Sequence, residues 1–215
     1  SLRLNTTGQY NTAVGHTALD TNTVGVNCVA IGYRALTANT DAYSNTAVGA
    51  SAMYTNTVGN QNTGIGNSAL AANTTGFRNT AVGSQALNLN TTGYDNNAIG
   101  SQTLYKNTIG LGNNAMGYWA LKENTTGSYN VAVGNGALQL NTIGTSNVAI
   151  GSQALSDNTI AVGNIAIGAN AMNYTTTGYS NVAVGQTALY YNTTGAHNTA
   201  VGYEALKDNK SHYIT

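Results

Sequence analysis

Three histidines, one cysteine and seven carboxylates are the side chains best suited to hold a metal or move a proton here. Their spacing favours neither task. His16 and His197 stand near opposite ends of the chain, and no spacing of His16, His197 and His212 suits metal ligation. A hydrolytic centre needs paired carboxylates or a nucleophile beside a base, and the acids form no recurring pair. Cys28 is single, which excludes an internal disulfide framework and a cysteine-only metal site. Gly64-Ile65-Gly66 has the look of a phosphate loop, but no helical pattern follows it. The expectation is a chain that is not an enzyme and carries no cofactor and no metal. Its aromatic residues suggest a different chemistry. Tyr and Trp offer flat apolar faces with a hydrogen-bonding tip, which suits sugar rings and protein surfaces. The candidates are Tyr118 with Trp119, Tyr190 with Tyr191, and the set Tyr43, Phe77, Tyr94 and Tyr179.

What positions these rings is a single repeat. Asn-Thr-Ala-Val-Gly at residues 11–15 returns in recognisable form at residues 28, 45, 62, 79, 96, 113, 130, 147, 164, 181 and 198, in equal steps of seventeen. Numbering each unit from its first residue, position 5 is Gly in all twelve units, and position 1 is Asn except at Cys28. Position 9 is Leu or Met from Leu2 to Leu206, and position 12 is Asn except at Thr175. The unit reads N-T-A-V-G-x-x-A-L-x-x-N-T-T-G-x-x, and residues 1–209 form one array with a divergent tail at 210–215.

Such spacing gives each unit the same environment as its neighbours, which is the logic of a solenoid. Seventeen residues are too few for two helices and a turn. The glycines at positions 5 and 15 cut the unit into short pieces with β-branched residues between them. The expected fold is all-β: a parallel β-roll of twelve coils, with two short strands per coil at positions 1–4 and 9–14. The absence of proline fits strands that all donate to the next coil. Coils stacked about 4.8 Å apart place identical residues in columns. Position 4 and position 9 are expected to make two apolar ladders and the asparagines two amide ladders. Asn11, Asn22, Asn45, Asn79 and Asn90 with Gly15, Gly49, Gly83, Leu19 and Leu87 exemplify the structural columns.

Only 7% of the residues are charged, seven of each sign, against a usual share of roughly 25%. Seven basic residues cannot build a strong footprint on nucleic acid or on an anionic membrane. No apolar run is long enough to insert in a bilayer. The chain is expected to be soluble, with any export signal outside it. The varied positions are 6, 7, 10, 11, 16 and 17, all in the turns, and thirteen of the fourteen tyrosines lie there. A plainer reading gives these rings the task of shielding turn backbone and stacking on rings one or two coils away.

A coil whose only invariably large apolar side chains are one aliphatic at position 4 and one Leu or Met has a thin core. The Thr and Val mixtures at positions 2 and 14 mark columns where neighbouring chains could meet. A homotrimer of parallel rolls side by side is expected. The N-x-A-V/I-G core with the following A-L and N-T-T-G resembles the head repeats of trimeric autotransporter adhesins. It resembles still more the repeat arrays in tail fibres and spikes of phages and large viruses. That resemblance implies trimeric, left-handed parallel β-rolls used for attachment, partnered by a host-surface glycan or protein receptor. It also implies a place on a virion surface or an extracellular bacterial surface. An alternative rests on the twelve consecutive threonines of position 13, an ice-binding solenoid using that column.

Overall fold

The computed structural model describes residues 1–209 and 211–214; Lys210 and Thr215 of the tail lie outside the described residues. It is an all-β parallel β-solenoid whose coils repeat every seventeen residues, and no helix occurs among the described residues. The chain divides into two compact units, Ser1–Ile109 and Gly110–Thr215. The first holds β1 (Thr12–Val14), β2 (Val29–Ile31), β3 (Thr46–Val48), β4 (Thr63–Ile65), β5 (Thr80–Val82) and β6 (Asn97–Ile99). The second holds β7 (Asn114–Met116), β8 (Val131–Val133), β9 (Val148–Ile150), β10 (Ile165–Ile167), β11 (Val182–Val184) and β12 (Thr199–Val201). Within each unit successive strands pair in parallel at a register of one repeat, as in Ala13↔Ala30 and Ala132↔Ala149.

Each coil has one strand, at positions 2–4. The segment expected as a second strand is a succession of turns and bends. The cause is the Leu or Met at position 9, which sits in the left-handed region at φ 47 to 53° in every coil from Leu2 to Leu206. An extended chain sends adjacent side chains to opposite faces. A left-handed residue breaks that alternation, and Ala at position 8 and Leu at position 9 both point inward. Ala18, Leu19, Ala86 and Leu87 are all fully buried. The left-handed backbone costs roughly 1–2 kcal/mol per residue, and burying a Leu returns roughly 1.5–3 kcal/mol. The segment still bonds to its neighbour, as when Leu19 N–H donates to Ala35 O at 3.0 Å and Thr21 N–H to Thr37 O at 3.2 Å.

Alternation is obeyed on the strand, and it corrects the position-4 ladder. With Ala at position 3 facing in, positions 2 and 4 must face out. Ile31, Ile65 and Ile99 are 39 to 40% exposed, while Ala30, Ala81 and Ala98 are fully buried. The interior is therefore Ala, Leu and Asn rather than two aliphatic ladders.

The asparagines fill the remainder of that interior. Along the intact stretches of position 12 the asparagine side chain donates to the amide oxygen one coil earlier, as in Asn22 to Asn5 at 2.8 Å, Asn73 to Asn56 at 2.7 Å and Asn90 to Asn73 at 2.8 Å. The same nitrogen also caps the carbonyl three residues on, Asn90 to Gly93 O at 3.0 Å. At position 1 the geometry differs. Asn45 Oδ1 accepts the backbone N–H of Asn62 at 2.9 Å, and its Nδ2 donates to Gly59 O at 2.8 Å. Asn11 and Asn79 make the corresponding bonds to Gly25 O and Gly93 O at 2.7 and 2.8 Å.

Position 5 needs glycine twice over. Gly15, Gly49 and Gly83 have φ of 128, 131 and 134°, and a Cβ on any of them would meet the next coil's carbonyl oxygen at 2.5 Å. The described tail residues continue the coil one residue short. Ser211 O accepts Asn198 Nδ2 at 2.7 Å, Tyr213 takes the left-handed φ of position 17 at 58°, and Ile214 N–H bonds Asn198 Oδ1 at 2.9 Å.

Candidate functional site

The turns place the variable side chains on the rim, because left-handed residues at positions 7 and 17 bend the chain outward on either side of the strand. Arg34, Gln85, Trp119 and Asn170 at position 7 have φ of 57, 58, 62 and 58°. Arg78, Asp95, Tyr129 and Ser180 at position 17 have φ of 52, 57, 59 and 54°. Both positions return once per coil, so neighbouring rim side chains are brought within ring-stacking range.

In Ser1–Ile109, Phe77 and Tyr94 stack with centroids 4.7 Å apart and planes 5° from parallel. Arg78 lies over Phe77 at 4.8 Å and forms a two-pronged ion pair with Asp95, at 2.9 and 3.0 Å. Arg34 reaches the rings of both Tyr33 and Tyr54, at 5.2 and 5.6 Å, and His16 stacks on Tyr33 at 5.9 Å. Tyr43 is exposed, and its backbone N–H is held by Asn60 Oδ1 at 2.8 Å.

In Gly110–Thr215, Tyr118 and Trp119 stack at 4.3 Å and Lys122 Nζ lies 4.6 Å from the Trp119 ring. Tyr190 and Tyr191 join Tyr174 in a three-ring cluster. Tyr174 stacks on Tyr191 at 5.5 Å and meets Tyr190 edge-on at 5.0 Å, and Tyr190 meets Tyr191 edge-on at 4.6 Å. The side-chain hydrogen bond with Tyr174 foremost, and partial burial after it, raise the Tyr190 phenol above its ordinary value. Tyr179 meets His197 edge-on at 5.0 Å.

Of the expected rings, Phe77 and Tyr94, Tyr118 and Trp119, and Tyr190 and Tyr191 are brought together, while Tyr179 meets His197 and Tyr43 is held through its backbone by Asn60; the partners the spacing alone did not single out are Tyr174, His197, Arg78, Lys122 and Asn60. The signal for Tyr174 was present, since it and Tyr191 both occupy position 11 one repeat apart. The cationic partners had no such signal, because an arginine or lysine can reach along or across coils from several positions. Stacking along the rim gives several rings a neighbour on one face, as the plainer reading required. The exposed tyrosines Tyr118, Tyr179 and Tyr191 still present surface outward.

Charges on the rim are largely matched locally. Lys207 and Glu204 form a 2.7 Å pair, and their hydrogen bond raises the lysine and lowers the glutamate from their ordinary values. Arg3 and Asp20 pair at 3.0 Å. Among the described residues no three His, Cys, Asp or Glu side chains cluster in a way that could hold a metal ion, and no helix is long and apolar enough to cross a membrane. Cys28 is fully buried in the position-1 column, with Sγ 3.5 Å from Val26 O and Ala42 O, and burial raises its thiol pKa.

The threonines of position 13 direct their hydroxyls along the stack. Thr23 Oγ1 donates to Thr40 O at 3.0 Å, Thr91 to Thr108 O at 3.1 Å and Thr142 to Thr159 O at 3.0 Å. The same carbonyls accept backbone N–H groups from positions 13, 14 and 15, as Thr23 O does from Thr6, Thr7 and Gly8 at 3.0, 3.1 and 3.2 Å. These hydroxyl protons are committed within the coil stack rather than offered to a flat outer plane. No protein-family model, curated protein or solved structure matches this chain.

Proposed function

We propose that this chain is an attachment module of a surface fibre, spike or adhesin head. In this reading it is a left-handed roll that works as a homotrimer and binds a host-surface glycan or protein receptor through aromatic and polar residues of its turns. Its place is a virion or an extracellular bacterial surface. The run from position 9 to position 14, with its inter-coil bonds, serves as the second edge of the roll.

The observation that carries the reading is the division of labour within the repeat. Positions 1, 3, 5, 8, 9 and 12 build a nearly invariant interior, and the rings gather on turns where sequence is free to change. The Tyr174, Tyr190 and Tyr191 cluster and the Tyr118, Trp119 and Lys122 cluster combine exposed ring surface with hydroxyl and ammonium groups. That combination suits sugar rings and protein hot spots.

The test is binding of the whole chain to a glycan array and to a panel of bacterial and eukaryotic cells. The comparison is with Tyr118→Ala plus Trp119→Ala, and with Tyr190→Ala plus Tyr191→Ala. At least one pair should lower binding tenfold or more while the far-ultraviolet circular dichroism stays unchanged. Binding undiminished when both pairs are replaced together, or no binding by the parent, would leave the chain as a spacer.

A further inference from the structure

Building on the attachment reading above, we propose that Arg34, held against Tyr33 and Tyr54 on the rim of Ser1–Ile109, forms with them a binding site for an acidic sugar, one whose ring carries a carboxylate.

Arg34 differs from the other cations that meet aromatic rings. Arg78 over Phe77 is neutralised by Asp95 at 2.9 Å, and Lys122 beside Trp119 has Glu123 at 4.0 Å. Among the described residues no carboxylate comes within ion-pair distance of Arg34, and its guanidinium donates no hydrogen bond. Asp20, on the same rim, is taken up by Arg3 at 3.0 Å. The unmatched guanidinium is nevertheless positioned. Arg34 N–H donates to His16 O at 3.0 Å with the backbone at φ 57°. Its guanidinium carbon stands 5.2 Å from the centre of the Tyr33 ring and 5.6 Å from that of Tyr54. Thr17 and Ser51, one repeat to either side, are too short to cover it, and Arg34 is exposed.

A planar fork of N–H donors, restrained by ring contacts and lacking an anion, matches a carboxylate with two parallel hydrogen bonds. The rings ask for more than a bare anion. Tyr33 and Tyr54 are 51 and 37% exposed. His16 stacks on Tyr33 at 5.9 Å, whereas Tyr54 meets no second ring among the described residues. Flat apolar surface beside a phenolic hydroxyl suits the C–H face and the hydroxyls of a sugar ring. A simple carboxylate engages the guanidinium alone, and a neutral hexose engages the tyrosines alone. An acidic sugar engages both from one rigid ring. An acidic peptide brings its carboxylate on a flexible side chain, whose ordering lowers the net gain.

The experiment is a ligand-observed NMR titration of the full chain with methyl glucuronide and methyl glucoside, which differ in the carboxylate, and with a short glutamate peptide. The parent should bind the glucuronide about fivefold or more tighter than either of the others, with the preference shrinking in about 1 M salt. Arg34→Gln installs the residue that position 7 carries at Gln85 and Gln102, and it should bind the two sugars alike. Tyr54→Ala installs the residue that position 10 carries at Ala71, and it should weaken both sugars about threefold or more. Arg78→Gln, whose guanidinium is already paired with Asp95, is the control and should match the parent. Equal affinity of the parent for the two sugars, binding of neither, or a preference that survives Arg34→Gln overturns the site. Sugar binding unchanged by Tyr54→Ala, or the peptide bound as tightly as the glucuronide, overturns its assignment to sugar. In each of these cases, binding of the parent to cells or to an arrayed glycan leaves the attachment reading standing. A parent that binds neither sugar, no cell and no arrayed glycan overturns both.

Discussion

Thr175 is the one interruption in the position-12 amide column, and replacing it with asparagine should stabilise the fold. Apart from Asn56 to Asn39 at 3.4 Å, column bonds such as Asn39 to Asn22, Asn107 to Asn90 and Asn158 to Asn141 run from 2.6 to 2.9 Å. At Thr175 the buried hydroxyl has no hydrogen-bond partner. Thr175→Asn puts an amide nitrogen near Asn158 Oδ1 and Gly178 O and an oxygen near Asn192 Nδ2. Each restored bond contributes about 1 kcal/mol net, and removing a buried orphan hydroxyl recovers roughly 1–3 kcal/mol. One neighbour already has a substitute, since Asn158 Oδ1 accepts Ala161 N–H at 3.2 Å, while Asn192 Nδ2 keeps only the bond to Gly195 O, at 3.0 Å, that column asparagines make beside the ladder bond. With that discount the gain is about 2 kcal/mol, or about 4–8 °C in Tm for a chain of this length.

Two measurements check it. Thermal unfolding by circular dichroism gives the shift, and amide hydrogen exchange across residues 158–195 locates it. Exchange there should slow roughly 30-fold where opening is local, since stability in a repeat array is set by neighbouring coils. Thr175→Val is the control, because it removes the orphan hydroxyl at similar shape without supplying an amide. Asparagine should exceed valine by about 1 kcal/mol. Equal Tm values for the two variants would show that the column bonds add nothing, and a lower Tm for asparagine would refute the account of the interior.

The two glycine columns should respond unequally to alanine. Gly83→Ala puts a Cβ 2.5 Å from Gly100 O at a φ of +134° and should cost about 3 kcal/mol or more by chemical denaturation. Gly76→Ala presses on Gly93 O, Asn73 Oδ1 and Asn90 Nδ2, but its φ lies outside the left-handed region, and Ala42 and Ala161 show that position 15 accepts a methyl, so about 1 kcal/mol is expected. Cys28 should resist alkylation in the native chain and react on denaturation. Its thiol pKa is raised from 9.0 by burial, so its contribution to stability is fully present below pH 9 and is lost as pH rises towards the folded value. A urea-denaturation series from pH 7 to pH 10.5 on the parent and on Cys28→Ala reads that difference, and identical pH profiles would count against it.

The period, the parallel stacking and the amide columns were legible because one coil's residues report on every coil. The inward and outward assignment was less so. Val at position 4 reads as core by hydrophobicity, and only the pleat, with Ala at position 3 committed inward, turns it out. Leu at position 9 was legible as core, but not its left-handed backbone, because nothing in a leucine's chemistry announces positive φ. The strand expected at 9–14 was lost for that reason. On the rim, Phe77 and Tyr94 share position 16 one repeat apart, and their stacking follows from the period. The reach of Arg34 to Tyr33 and Tyr54 does not, because a long side chain's direction is set by local packing.

Ala42 shows how the interior tolerates change. The Asn56 to Asn39 bond beside it is 3.4 Å, against 2.7 Å for Asn73 to Asn56 in the next coil. The disturbance is gone within one repeat, as expected where each coil contacts only its neighbours. Position 7 makes the same point from outside. Arg34, Trp119 and Gly136 occupy it at φ of 57, 62 and 64°, and the Ala and Leu that follow each of them are fully buried. A residue with no side chain and the bulkiest one leave the core beneath them alike. The interior columns grip their neighbours through backbone and amide bonds in which the rim rings take no part, so a rim ring can be exchanged without cost to the column. In the proposed attachment role, affinity for a receptor then changes one turn at a time, which a globular domain with its binding loops braced on a shared core cannot do as freely.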